Sequence, residues 1–192
     1  FFLNCVIMRP AVHEPTWHHY PSPYYNDTHH ALRDKIRAFV DQEILPFVHK
    51  WDEQGKYPAD LRHKAYAAGI YGALWPKQYG GTPACDKMDH FHSLIWHDEL
   101  ARAGSGGLMA SCFLPLGWAL LPILKYGIGD KAKQSAVCRA CIRGEKTIAL
   151  AVTEPMAGSD VGNIGCCAVD DADEPDRYYR INGEKYFISN GY

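Results

Sequence analysis

The chain has 192 residues, a net charge of −2 and 47% hydrophobic residues, enough for one large domain or two small ones with an apolar core. Lys+Arg is 20 and Asp+Glu is 22, and no basic run stands out, so charge gives no argument for nucleic acid as a partner. Seven cysteines are an odd number in a chain too long to need disulfides, which favours reduced thiols and an intracellular location.

The cysteines and histidines do not predict a metal site. Cys138 and Cys141 form a single C-x-x-C, whereas a zinc site needs a second pair and a thioredoxin-like site needs a βαβ context. His90 and His97 share one face of a predicted helix, but they lie about two turns apart and ligands prefer about one turn. We therefore predict a solvated surface for the histidines, which include His18, His19, His29, His30, His90, His92 and His97.

Residues 1–27 are rich in Pro, His and Tyr and show no period, so we predict an irregular arm. The stretch after Met8 carries Glu14 and little arginine, and it contains no clear targeting signal. Residues 28–146 have helical spacing of apolar residues and are predicted to form an all-α domain.

Capping residues and glycines delimit four predicted helices, of which the first is kinked or split by Pro46. Its apolar positions include Phe39, Val40 and Phe47. The helices begin after Asp27 or Thr28, Pro58, Asp86 and Asp130, and they end at Gly55, Gly69, Gly104 and Gly144.

The segment from Leu108 to Leu124 carries no charged residue. A membrane span needs about 20 apolar residues, so its length is marginal. It contains two prolines and has no basic flank that would set an orientation. We therefore predict a buried helix at the centre of a bundle and no membrane span.

Residues 147–192 are predicted to form part of an antiparallel β domain. The run Thr147–Thr153 is typical of a strand, and Asn182-Gly183 between Tyr178–Ile181 and Glu184–Ser189 indicates a type I′ hairpin. Helices first and strands afterwards predict an α+β fold, with the boundary near Glu145.

The loop after the first predicted strand carries the most specific chemical signal. In Ala151–Asn163, Gly158 lets a ligand approach the backbone, and Ser159 adds a hydroxyl next to backbone N–H groups. Such a loop suits a pyrophosphate or another anion. It equally suits an ordinary turn in which Ser159 or Asp160 satisfies local amides.

Two motifs in this order resemble the acyl-CoA dehydrogenase family. The first is Thr-Glu-Pro followed by Ala-Gly-Ser-Asp in residues 153–160, and the second is Asn-Gly-Glu-Lys-Tyr-Phe-Ile-Ser-Asn-Gly in residues 182–191. The resemblance extends from about Thr28 to the end of the chain. It implies an amino-terminal helical domain and the start of a β-barrel-like middle domain, without the family's carboxy-terminal helical domain.

The resemblance also implies an FAD site. The flavin ring of relatives lies against the segment that corresponds to Leu150, Ala151, Val152 and Thr153. Gly158 and Ser159 match positions that meet the FAD pyrophosphate, and Ser159 also matches a contact with the CoA thioester. Phe187, Ile188 and Ser189 match a flavin-contacting strand.

Four positions depart from the family pattern. Phe187 replaces a common Trp and keeps an aromatic face, and Ser189 replaces a common Thr and keeps the hydroxyl. Leu150 lacks the aromatic ring of many relatives, and Met156 replaces a small residue. The flavin site is still implied.

The implied reaction is FAD-dependent α,β-dehydrogenation of an acyl-CoA thioester, with hydride passing from the β-carbon to the flavin. The catalytic base is expected beyond residue 192, since Glu99 is predicted on a helix surface and Glu154 in the signature turn. Alternatives are a flavin oxidase or monooxygenase of the same fold, or a non-catalytic scaffold or binding protein. Relatives imply acyl-CoA, an electron-transfer flavoprotein or oxygen, and a homo-oligomer as partners, with a mitochondrial or peroxisomal location.

Overall fold

The computed structural model describes residues 21–127, 129–174 and 178–191. Helices come first and a small antiparallel sheet follows, so the predicted α+β order is confirmed. Residues 1–20 of the predicted arm, with His18 and His19, lie outside the described residues. The domain boundary near residue 146 stays a prediction.

Seven α-helices are described, and several are extended by π-helical turns. Helix α1 continues into a π-helical turn at Val40–Ile44, and α5 reaches α6 through two such turns, Met109–Phe113 and Leu116–Leu120. The helices are α1 (Asp27–Phe39), α2 (Val48–Gln54), α3 (Leu61–Ala67), α4 (His90–Ala101), α5 (Gly106–Leu108), α6 (Leu121–Tyr126) and α7 (Lys131–Ile142).

Short polar side chains cap the longer helices, because they accept hydrogen bonds from backbone N–H groups that have no partner inside the helix. Asp130 caps α7 as predicted. The other two predicted caps are wrong. Asn26 caps α1 in place of Asp27 or Thr28, and Asp89 caps α4 in place of Asp86.

The first predicted helix is split at Pro46 as expected, and Gly55 ends α2 in the left-handed conformation with φ 62°. Phe47 was predicted to share its apolar face, but its side chain is 47% exposed and stacks on Trp51. The π-helical turn just before Pro46 shifts the helix period, which moves Phe47 off the buried face.

The helical core packs α1 against α4, and it buries an ion pair at their contact. The Arg37 guanidinium donates to both carboxylate oxygens of Glu99, through Nε at 3.0 Å and Nη2 at 2.8 Å. The Glu99 side chain is only 1% exposed. The prediction of Glu99 as helix surface is therefore wrong, because a partner 62 residues earlier compensates the buried charge.

The uncharged segment lies in a helix, Gly106–Tyr126, which is long and apolar enough to cross a membrane by length and composition alone. Of its most apolar 18-residue window, 39% is buried. The buried side includes Phe113 and Leu120, whereas Trp118 and Leu121 are about half exposed. The prediction of a helix buried on all sides is thus only partly met, and the open side borders a cavity described below.

The sheet consists of β1 (Cys167–Asp170) and β2 (Tyr179–Asn182), paired antiparallel with Cys167 opposite Asn182. The predicted hairpin is wrong, because β2 pairs with the preceding strand and not with Glu184–Ser189. Thr147–Thr153 also forms no strand in the described structure. Residues 147–153 and 184–189 are joined to each other by only a few hydrogen bonds, which do not make a regular ladder.

We predict that Glu99→Ala lowers the free energy of unfolding by about 3 kcal/mol, because it removes the buried carboxylate that bonds Arg37 and pairs with Arg102. Urea denaturation followed by tryptophan fluorescence measures the change. In the matched control Glu53→Ala, an exposed pair with His49 is removed, and the change should stay below about 0.5 kcal/mol. Equal losses for the two variants would contradict a structural role of the Glu99 pair.

Candidate functional site

Glu154 is the polar centre of the segment that follows the helices. Its carboxylate accepts hydrogen bonds from the backbone N–H of Gly165 at 2.7 Å and of Cys166 at 3.0 Å. The Lys185 ammonium also donates to it at 2.7 Å. The carboxylate is nearly buried, and these donors, Lys185 first, lower the pKa of Glu154 below its ordinary value.

The same contacts hold the two motif segments side by side. The Tyr186 N–H donates to the Thr153 carbonyl at 2.8 Å, and Lys185 also donates to the Val152 carbonyl at 3.0 Å. A lysine with three donors can bond a carbonyl and a carboxylate at once. The Glu154 region and residues 185–186 therefore form one unit, although they are about 30 residues apart.

Asn190 attaches this unit to the helical domain. Its amide Nδ2 donates to the Ser111 carbonyl at 2.8 Å, and it lies 3.4 Å from the Ile148 carbonyl. Ser111 belongs to the long helix Gly106–Tyr126, so the end of the second motif rests on that helix. Asn190 has a φ of 65°, a left-handed conformation that asparagine tolerates.

Phe187 presents its ring to the outside of this unit. It has a φ of 54° and is 91% exposed. A left-handed backbone is unfavourable for a bulky residue, and an exposed ring loses the benefit of burial. The predicted neighbours Leu150 and Ala151 are also exposed, while Val152, Thr153 and Ile188 are partly buried. The predicted ring-contacting residues thus line an open surface.

The Gly-Ser loop is held by its own backbone and by one side chain. The Val161 N–H donates to the Ser159 carbonyl at 3.1 Å, and Asn163 Nδ2 donates to the Met156 carbonyl at 3.0 Å. Gly158 and Ser159 are exposed, and a Cβ added to Gly158 would meet no atom within 4 Å. Neither packing nor a left-handed φ requires glycine here, which suits a loop that a ligand approaches.

The structure therefore joins Val152 and Thr153 to the segment that carries Phe187, Ile188 and Ser189, and it leaves Ser189 and Ser159 exposed. Sequence reasoning missed Lys185 and Asn190 as the residues that hold this arrangement. Their only signal was their position inside the second motif. The roles of the individual residues towards a cofactor stay predictions.

A cavity of about 600 Å³ opens beside the long helix. Leu114 lines it and follows Ser111, the residue bonded by Asn190, by three positions. The cavity is therefore close to the end of the second motif. Its wall is mainly apolar, and six aromatic side chains contribute to it: Tyr71, Trp75, Tyr79, Trp96, Phe113 and Trp118.

The C-x-x-C of α7 faces the core. Cys138 and Cys141 are buried, and burial raises the pKa of both thiols. A raised pKa keeps a thiol protonated at neutral pH and unreactive.

The comparisons with known proteins agree with these motifs. A sequence model described as "Acyl-CoA dehydrogenase, N-terminal domain" matches residues 26–145. Acyl-CoA dehydrogenase AFT10-1 of Alternaria alternata is 32% identical over 93% of this chain and 42% of its own length. A 3-(aryl)acrylate reductase of Clostridium sporogenes is 32% identical, and a caffeyl-CoA reductase–Etf complex subunit, CarC, of Acetobacterium woodii is 31% identical. Each of these two matches covers 86% of this chain and 41% of the relative.

Solved structures show the same fold. The acyl-CoA dehydrogenase of Geobacillus kaustophilus matches with a TM-score of 0.74 and 31% identity, over 89% of this chain and 42% of its own. An acyl-CoA dehydrogenase of Bacillus anthracis, solved with FAD, matches with a TM-score of 0.70 and 26% identity, over 88% of this chain and 28% of its own. The chain spans about two fifths of the length of the curated relatives it matches.

We predict that the loop around Glu154 loosens in acid. Because the folded-state pKa of Glu154 is lowered, its contribution to stability is fully present above the ordinary glutamate pKa of about 4.3 and is lost as the pH falls through the folded-state value. Hydrogen exchange of the Gly165 and Cys166 amides, corrected for intrinsic pH dependence, measures this loss of protection.

In Glu154→Gln the two amides should be poorly protected at every pH, because the charge that Lys185 and the amides share is gone. If the protection of these amides in the unmodified chain stays constant as the pH falls from above about 4.3 through the folded-state pKa, the role assigned to the Glu154 carboxylate is contradicted.

Proposed function

Because the chain belongs to the acyl-CoA dehydrogenase family, we propose that the full-length protein catalyses FAD-dependent α,β-dehydrogenation of an acyl-CoA thioester. The observation that carries the proposal is the joining of the two motif segments through the Tyr186 N–H and the Thr153 carbonyl. This contact supports the assignment, because it joins the residue before the exposed Phe187 to the segment that the family resemblance assigns to the flavin ring.

The described residues fit FAD. Phe187 offers a flat apolar ring that is 91% exposed and that only the edge-on ring of Tyr186 contacts, at 5.7 Å, among the described aromatic side chains. The open space at Gly158 lets a phosphate reach the backbone of the loop. When bound, FAD supplies the hydride acceptor.

We propose that the residues of this chain bind FAD and the thioester and orient them towards each other. We assign the backbone of Leu150–Thr153 and the hydroxyls of Thr153 and Ser189 to contacts with the flavin ring. Gly158 and Ser159 are assigned to the pyrophosphate and, for Ser159, to the CoA thioester. Lys185 and Glu154 hold the two segments in position. Because these two side chains form an ion pair, neither of them presents an uncompensated charge to the flavin.

We place the acyl group in the aromatic cavity. Asn190 ties the flavin-side segment to Ser111, and Leu114 lies one turn further along the same helix in the cavity wall. A hydrophobic tail would gain about 0.8 kcal/mol for each CH₂ group that it buries there.

The base that removes the α-proton is expected outside this chain. Glu99 is held by Arg37 inside the helical core, and Glu154 is bonded to Lys185 and two amides. A general base must reach the proton that it takes and must not be neutralised by fixed donors. Neither carboxylate meets that condition.

A second candidate is the reverse reaction, reduction of an aryl-acrylyl thioester. It is favoured by the six aromatic side chains around the cavity, since flat rings stack on aromatic walls. Two relatives are named for aryl or caffeyl substrates. The Etf in the name of one of them supports an electron-transfer flavoprotein as the electron partner here as well.

The test is an anaerobic visible spectrum of the purified full-length gene product before and after addition of butyryl-CoA, palmitoyl-CoA or 3-phenylpropionyl-CoA. We expect the bound flavin to bleach with at least one of them, because the thioester reduces it. A second sample, reduced with dithionite and then mixed with cinnamoyl-CoA, tests the reverse direction.

Bleaching by an alkyl thioester supports the leading proposal, and reoxidation by cinnamoyl-CoA alone supports the second. If flavin binds but its spectrum changes with none of the thioesters, and the protein turns over with oxygen, the function is that of an oxidase or monooxygenase. Folded protein without flavin would overturn both proposals and leave a non-catalytic scaffold.

A further inference from the structure

The wall of the aromatic cavity contains polar groups of two kinds, bonded and unbonded. The Trp96 indole N–H donates to the Ile70 carbonyl at 2.8 Å. The Tyr71 hydroxyl donates to the Cys112 carbonyl at 2.9 Å. Because both donors are already used, Trp96 and Tyr71 present only their ring faces to a molecule in the cavity.

Three other donors of the wall have no hydrogen-bond partner in the described part of the chain. They are the indole N–H of Trp75, the hydroxyl of Tyr79 and the ammonium of Lys125. Trp75 is only 9% exposed, so water has little access to its N–H. A buried donor without a partner costs free energy that an acceptor on a ligand recovers. We therefore expect an acceptor for this N–H inside the cavity.

Lys125 gives the wall a positive charge. Among the described residues that line the cavity it is the one lysine, and none is an arginine, an aspartate or a glutamate. Its Nζ lies over the ring of Tyr126, 5.1 Å from the ring centre, and it pairs with no carboxylate in the described chain. The wall therefore favours an anionic group over a cationic one.

The tyrosine and the lysine among these donors come close because neighbouring glycines pack against α7. A Cβ added to Gly80 would lie 3.3 Å from Arg139 Cγ, and one added to Gly127 would lie 3.1 Å from Gln134 Cδ. Gln134 and Arg139 are five residues apart, about 7.5 Å along the helix. The two donors belong to residues one and two positions before these glycines, so a single ligand group can meet both.

The long helix sets the distance of these donors from the flavin side of the cavity. Leu114 lies at that side, and Lys125 follows it by eleven residues, which corresponds to roughly 16 Å along the helix axis. An extended chain of twelve carbon atoms spans about 14 Å, since each C–C bond is about 1.5 Å long and inclined to the chain axis. A chain of about this length brings its far end to Lys125.

We propose that the cavity takes an acyl chain of about twelve carbons that ends in a carboxylate, so that the substrate is the CoA thioester of a dicarboxylic acid. This inference rests on the proposed placement of the acyl group in the cavity. The distal carboxylate accepts hydrogen bonds from Trp75, Tyr79 and Lys125, and a charged acceptor makes these bonds strong. The aromatic faces hold the chain, and the carboxylate takes no part in the hydride transfer.

The histidines add no second anion site to this wall. His97 lines the cavity and is exposed as predicted, and its Nδ1–H donates to the Ser93 carbonyl at 2.7 Å. Its neutral ring then has a lone pair on Nε2, which does not bind a carboxylate. The prediction of a solvated surface is wrong for His29 and His92, which are each 1% exposed and bonded to Asp89, and neither lines the cavity.

The test is isothermal titration of the full-length gene product, with any bound flavin reduced by dithionite so that no dehydrogenation adds to the binding signal. Dodecanedioyl-CoA should bind at least about tenfold more tightly than its ω-methyl ester, because the ester keeps the chain and removes the charge. Adipoyl-CoA should show no such preference over its own methyl ester, because six carbons do not reach Lys125.

Lys125→Met and Trp75→Phe remove a donor and keep an apolar side chain. Each should lower the preference for dodecanedioyl-CoA over its ester to about threefold or less. This ratio is the readout, because a general disturbance of the cavity weakens both ligands alike. The matched control is Lys133→Met, which removes an exposed lysine of α7 outside the cavity wall and should keep the full preference. Circular dichroism identifies a variant that does not fold, and Tyr79→Phe then serves in its place.

Equal affinity for dodecanedioyl-CoA and its ester in the unmodified protein overturns the inference, and so does a preference that the two variants leave intact. The outcome is separable from that of the proposed function. A protein that prefers the dicarboxylate, but whose flavin is bleached by no thioester, overturns the proposed function alone. A protein that palmitoyl-CoA bleaches, without any preference for the carboxylate, overturns this inference alone.

Discussion

The carboxylate of Glu154 is the interaction on which the arrangement of the candidate site depends. It is bonded to two backbone amides and one ammonium, and it is nearly buried. A nearly buried carboxylate is stable only when donors surround it. Those donors come from Gly165, Cys166 and Lys185. The hydrogen bonds to one carboxylate therefore hold together three separate segments, around residues 154, 165 and 185. The exposed face of Phe187 and the contact between Tyr186 and Thr153 follow from that assembly.

The helical domain also contains two clusters in which buried charged or polar side chains are bonded to partners. The Glu99 carboxylate is buried against Arg37, and Asp89 bonds the buried rings of His29 and His92. Both clusters join α1 to α4, so the pairing of these helices is specified by polar contacts as well as by apolar packing. The long helix Gly106–Tyr126 uses one face for the core and leaves the other to the cavity, where Trp118 is 49% exposed.

The sequence predicts well what local chemistry decides. Helix ends at Gly55 and Gly144 and the cap at Asp130 were predicted, because capping acts within a few residues. The strand at Thr147–Thr153 and the hairpin at Asn182-Gly183 were wrong, because strand pairing depends on which distant segment is available. Glu99 and His29 were placed on the surface, since their partners Arg37 and Asp89 lie about 60 residues away and no spacing reveals them.

In the candidate site, too, the motifs could be predicted from the sequence and the distant contacts could not. The two motifs were assigned to one cofactor through their resemblance to a family. The structure joins them by a hydrogen bond between residues 186 and 153, and their roles towards a cofactor stay predictions. Lys185 and Asn190 could not be singled out, because each acts through a bond to a backbone carbonyl or a carboxylate whose position only the fold defines.

The most direct test of this account is the FAD affinity of the full-length protein with Lys185→Met. This change removes the ammonium that bonds both Glu154 and the Val152 carbonyl. Fluorescence titration with FAD should show at least about tenfold weaker binding, the equivalent of roughly 1.4 kcal/mol. The matched variant Lys77→Met breaks a 2.8 Å pair with Asp86 on an exposed surface and should bind FAD normally. Equal FAD affinity in the unmodified protein and in Lys185→Met would contradict the claim that the Glu154–Lys185 contact builds the flavin site.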